Sequence, residues 1–149
     1  MGSSEYPAIS GTVRFYQTNR GVLVKAEIGG LPHSSEKCGE RIFGFHIHAG
    51  GSCTGNESEP FADAGMHYDR YGCQHPQHSG DMPPLFGNRG FALSAFLTDR
   101  FTVDEIIGKT VVIHSMPDDF TTQPSGNSGK KIACGIITAE RLNPNAASR

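Results

Sequence analysis

The chain has 149 residues, a formal net charge of −2, Gly 19, Pro 9 and no tryptophan. That length suits one domain with a substantial core. The near-neutral charge leaves no polybasic footprint for nucleic acid, and no stretch approaches the roughly 20 apolar residues that would span a membrane. High glycine and proline without long apolar runs favour many short strands joined by turns over a helical bundle.

Met1-Gly2-Ser3-Ser4 has no hydrophobic signal core, which fits either a native start or a cloning scar replacing a removed leader. Both a cytoplasmic and a cell-envelope or secreted location stay open. Ile9 to Tyr16 alternates apolar and polar positions, as a half-buried strand does, and Asn19-Arg20-Gly21 supplies a turn into a second alternating run, Val22 to Ile28. Ile42 to His48 reads as a third strand, Phe91 to Leu97 and Thr110 to His114 as further strands, and Lys131 to Leu142 as a long final one. Thr102 to Ile107 fits one helical turn, capped by Thr102 with Glu105 three residues on. Two glycine- and proline-rich segments, 49–88 and 115–129, separate these runs. Loops of that length in a compact domain are usually functional or disordered, and here they carry or flank histidines. The pattern predicts an all-β sandwich or barrel with elaborated loops. One domain is expected over 5–143, with 1–4 and 144–149 as tails.

Six of the 7 histidines lie in or beside these segments, together with one aspartate, and only His33 stands apart. His46 and His48 lie two apart on a strand and so share a face. His67, His75, His78 and Asp81 follow at intervals of eight, three and three within the first loop, which could wrap one ion. His114 ends a β-branched strand. Seven such side chains suit two ions better than one, and nitrogen donors with one carboxylate suit zinc and copper.

The order of the surrounding motifs is more specific. Gly44-Phe45-His46-Ile47-His48, Ala64-Gly65-Met66-His67-Tyr68, His78-Ser79-Gly80-Asp81 and Val112-Ile113-His114 are followed by Gly126-Asn127-Ser128-Gly129-Lys130-Lys131-Ile132-Ala133-Cys134-Gly135. This set closely resembles the copper/zinc superoxide dismutase family, its short-loop bacterial members especially, from about Ile9 to Ile137. The Greek-key β-sandwich or flattened barrel, of immunoglobulin-like architecture, and electrostatic guidance of substrate are established for that family. The resemblance implies superoxide as substrate. It makes His46, His48, His67 and His114 copper ligands and His67, His75, His78 and Asp81 zinc ligands, with His67 bridging and delivering a proton. It also assigns Asp118 to link a copper-side histidine to a zinc-side one, and pairs Cys53 with Cys134.

Cys38 and Cys73 have no counterpart in the family pattern. They form a second disulfide, remain two free thiols, or leave Cys73 competing for zinc. Where the family has a guiding arginine this chain has Lys131, which keeps the charge but loses the planar fork. The segment from His114 to Lys131 holds Asp118 and Asp119 but no cation before Lys130, and Arg70 follows the bridging histidine, either restoring charge or simply exposed. A non-enzymatic copper- or zinc-binding module on the same fold is the alternative function, and a homodimer is compatible with either.

Overall fold

A computed structural model describes residues 1–39 and 41–140. Its elements are β1 (Ser10–Thr18), β2 (Gly21–Gly29), β3 (Ile42–Phe43), β4 (Phe45–His48), a short 3-10 turn at Ala62–Ala64, β5 (Leu85–Phe86), β6 (Ala92–Thr98), α1 (Val103–Ile106), β7 (Thr110–His114) and β8 (Lys131–Ile136). One sheet has the order β1-β2-β6 and another β4-β7-β8, all antiparallel, while β3 and β5 form a two-stranded patch. The chain passes from β2 to β4, back to β6 and over again to β7, which is Greek-key connectivity. β1 and β8 are not paired with each other among the described residues, so the architecture is an open sandwich rather than a closed barrel. Among the described residues, no helix is long and apolar enough to cross a membrane.

Alternation decides which face each strand buries. Val22, Val24, Ala26 and Ile28 of β2 meet Phe45 and Ile47 of β4 in one core that also takes in Leu85, Ile106, Ile113 and Ile132. α1 forms where the sequence places it. The Glu105 carboxylate accepts from the Thr102 amide at 2.7 Å and from its hydroxyl at 2.9 Å, closing off the first turn.

Four expectations change. The single strand expected from Ile42 to His48 is divided at Gly44, where a Cβ would come within 2.8 Å of Ser128 Cβ and 3.2 Å of His114 Cβ. β5 is only two residues long and follows Pro83-Pro84, too short to leave a periodic pattern. β8 ends at Ile136, because the Ile137 amide turns to the Lys109 carbonyl at 2.8 Å; Arg141 and Leu142 lie outside the described residues. Finally, Met1–Ser3 runs beside β8. Gly2 bridges to Ala133, the Ser3 amide donates to the Ile132 carbonyl at 2.8 Å, and the Cys134 amide donates to the Met1 carbonyl at 3.0 Å. A Cβ on Gly2 would lie 1.9 Å from the Tyr6 carbonyl oxygen, so that segment packs closely against β8 and its own return.

Candidate metal centre

β4 supplies His46 and His48 on one face, with Phe45 and Ile47 turned into the core, and all four are buried. The first long loop then returns alongside this strand. The Tyr68 amide donates to the Ile47 carbonyl at 2.8 Å, the Ile47 amide to Gly80 at 2.8 Å, and the Ala49 amide to Met66 at 2.8 Å. This pairing sets His67 opposite His48 and Asp81 opposite His46. Gly80 makes the approach feasible, since a Cβ there would lie 2.3 Å from the Ile47 carbonyl oxygen. On the other side of β4, β7 brings His114. A register shift between Ile113 and His114 leaves Ile132 as the extra residue opposite, and such a bulge re-aims the side chain beside it.

The seven side chains form two donor groups. One is His46, His48, His67 and His114; the other is His67, His75, His78 and Asp81; within each, the donor atoms lie within 4.8 Å of one another. Most of these rings have one nitrogen tied to a protein acceptor and the other facing inward. His48 Nδ1 donates to the Gly65 carbonyl at 2.7 Å and His114 Nδ1 to the Gly129 carbonyl at 3.3 Å. His46 Nε2 and His75 Nε2 donate to the two oxygens of Asp118, at 2.7 and 2.8 Å. His67 differs. Its Nδ1 faces Asp81 Oδ1 at 2.7 Å and His78 Nδ1 at 3.4 Å in the second group, while its Nε2, in the first group, has no hydrogen-bond partner.

These bonds test whether the residues fit metal ions. A carbonyl can only accept, so His48 and His114 each carry their proton on Nδ1. Their Nε2 lone pairs then face each other at 3.1 Å, a repulsive arrangement that a shared cation resolves. Donors around one ion at the usual Zn–N length would stand roughly 3.3 Å apart. Protonation is a poor substitute. Burial, then the neighbouring His114, pushes His48 down to about 2, and burial, then His46, pushes His114 down to about 3. His46 is lowered as well, chiefly by burial, although Asp118 opposes this. Buried His46 Nδ1 likewise has no hydrogen-bond partner. In the second group, Asp81 Oδ2 stands 3.0 Å from His75 Nδ1 and 3.5 Å from His78 Nδ1. Burial pushes the Asp81 carboxyl up, but the histidines around it prevail and hold it ionised below its ordinary value. Asp118 is also buried, yet bonds from His46, the Phe120 amide and His75 bring it down to about 2. Neutral imidazoles and ionised carboxylates are what divalent metals require. An all-nitrogen group suits copper and a three-nitrogen, one-carboxylate group suits zinc.

Lys131 is half-buried and pairs with His114 across β7 and β8, close enough for its charge to contribute to the lowering of His114. Lys130 is exposed, with its ammonium 3.9 Å from Glu5. Arg70 is not a free cation: its guanidinium pairs with Glu105 at 2.5 Å. Cys53 and Cys134 are disulfide-bonded, with Cα atoms 5.7 Å apart, pinning the first loop to β8. Of the alternatives open for Cys38 and Cys73, the structure has two free thiols and no second bridge. Both thiols are exposed, and Cys73 belongs to neither donor group. Sequence reasoning missed the Gly65 and Gly129 carbonyls, because main-chain acceptors leave no signature in residue type. It also missed Gln123 and Arg100, which hold the backbone around His75 and His78.

Comparison with known proteins agrees with this geometry. The family model described as copper/zinc superoxide dismutase matches residues 9–137. Copper-zinc superoxide dismutase 2 of Aquifex aeolicus is 37% identical, over 87% of this chain and 79% of that protein. The copper-zinc superoxide dismutase of Photobacterium leiognathi is 32% identical, over 85% of this chain and 78% of that protein. Among solved structures, a superoxide dismutase-like protein from Bacillus subtilis superposes with a TM-score of 0.70 at 26% identity, covering 85% of this chain and 89% of that one. The chain is a member of the copper/zinc superoxide dismutase family of enzymes.

Proposed function

We propose that the protein disproportionates superoxide at copper held by His46, His48, His67 and His114, beside zinc held by His67, His75, His78 and Asp81. The observation that carries the reading is the orientation of His67. It is the one ring counted in both donor groups, with Nδ1 against Asp81 and a buried Nε2 that has no hydrogen-bond partner. Copper, when bound, supplies a one-electron couple that oxidises one superoxide to oxygen and reduces a second, with two protons, to hydrogen peroxide, while zinc supplies fixed charge without redox change.

The chain's own residues divide the remaining work. His67 Nε2 is buried without an acceptor, so it is the atom proposed to hold and pass on a proton. Asp118 fixes His46 and His75 through its two oxygens and thereby sets the spacing of the two groups. Lys131 provides positive charge close to His114 and draws a small anion toward the first group. As a lysine it attracts the substrate without forked hydrogen bonds to orient it. No observation favours the non-enzymatic module.

Loading with copper and zinc, counting ions per chain, and following superoxide consumption tests the reading. We expect one ion of each metal and rapid turnover. A fully loaded but inactive protein would overturn it.

A further inference from the structure

The segment that carries His75 and His78 has little regular structure of its own. Only Pro76 and Gln77 separate the two ligands, and proline has no amide to donate. Its internal support includes turn bonds, from the Gln77 amide to Gln74 at 2.7 Å and from the Asp81 amide to His78 at 3.2 Å. Two side chains from distant parts of the chain take hold of this backbone. Gln123, in the second long loop, makes a closed pair with the main chain of His75. Its Nε2 donates to the His75 carbonyl at 2.6 Å and its Oε1 accepts from the His75 amide at 3.0 Å. Arg100, just beyond β6, donates through Nη1 to the Pro76 carbonyl at 2.7 Å and to the His78 carbonyl at 3.3 Å, with Nη2 near Gln77 Oε1 at 3.4 Å.

We propose that Gln123 and Arg100 are positioning residues for the zinc ligands, holding the backbone that aims His75 and His78. The inference rests on the reading of the second donor group as the zinc site. A side-chain amide paired with both polar groups of one residue fixes the rotation of that peptide as a β-ladder partner does. His75 is therefore gripped at both ends by one loop, its ring by Asp118 and its main chain by Gln123. Arg100 performs the complementary task. Its Nη1 reaches the carbonyls on either side of Gln77, anchoring the ligand segment to the end of a core strand. Neither residue belongs to the first group, so zinc retention should suffer more than copper retention when either is replaced.

The test compares zinc and copper retention in Gln123→Met, Arg100→Ala and Arg100→Lys against the unaltered protein, all loaded with both metals and challenged with graded chelator. Partners beyond the ligand shell typically change metal affinity by about 10–100-fold. We expect zinc affinity to fall in that range in Gln123→Met and Arg100→Ala, with copper affinity changed by less than about two-fold and partial recovery in Arg100→Lys. Cobalt substituted for zinc should show an altered visible spectrum in the first two variants, a readout that general loss of stability would not produce. Unchanged zinc affinity, or equal loss of both metals with an unaltered cobalt spectrum, overturns the proposal while leaving the zinc site in place. An unaltered protein that binds no zinc overturns the underlying assignment as well.

Discussion

Lys131, across the ladder from His114, is the residue proposed to guide the incoming anion. The molecule is slightly negative overall, which disfavours an incoming anion, and Lys130 stands near Glu5. Half-buried Lys131, across from His114, supplies positive charge beside the first donor group. Lys131→Ala should reduce the second-order rate by roughly ten-fold, within the range by which focused charge changes association. It should also flatten the fall in rate with rising ionic strength, since screening acts only on charge that is present. Stopped-flow superoxide decay at several salt concentrations measures both, and unchanged values would remove Lys131 from the guidance role. At this scale the members of the two donor groups were legible because histidine is rare and its motif order specific. The atoms that orient the rings were not: Gly65 and Gly129 act through carbonyls that every residue possesses.

The two long loops become precise only through attachment to strands. Residues 66–68 and 80–81 pair along β4, and Cys53–Cys134 ties the same loop to β8 beneath a small cluster of Phe61, Ala64 and Val112. The bridge closes a sequence separation of 81 residues. In the chain-entropy description such a closure stabilises by about 4–5 kcal/mol. Cys53→Ser with Cys134→Ser should lower the unfolding free energy of the metal-free protein by an amount of that order, measured by denaturant titration. A difference below about 1 kcal/mol would show that β4 pairing alone holds the loop. Strand periodicity revealed β2, β6 and β7, whose inward faces form the core. It overran β8, because the same alternation continues after the chain has turned from the ladder at Ile137, and it passed over β5, whose two residues are too few to alternate.

Across the whole molecule, the histidines make stability depend on acid. In the metal-free protein, His48 and His114 are held down to about 2 and 3, against 6.5 for an ordinary histidine. Between those values the unfolded chain binds protons that the folded chain refuses, so stability falls as pH drops from about 6.5 toward 3. Asp118 acts in the same direction lower down. Its folded value is about 2 against 3.8, so the contribution of its bonds to His46 and His75 is lost as pH falls through that interval. Denaturation midpoints of the metal-free protein should decline steadily below pH 6, the folding equilibrium weakening by up to about a hundred-fold per pH unit when both histidines titrate. A flat profile between pH 7 and 5 would contradict the burial assigned to these rings.

His67 gives the centre a characteristic failure mode. Seven side chains fill two groups of four because this ring is counted in both. Losing His48 or His78 removes one donor from one group and leaves the other complete. Losing His67 breaks both at once, as a common fuse disconnects two circuits. Its position is therefore the one ligand position without a private fault, where damage to one group cannot be separated from damage to the other.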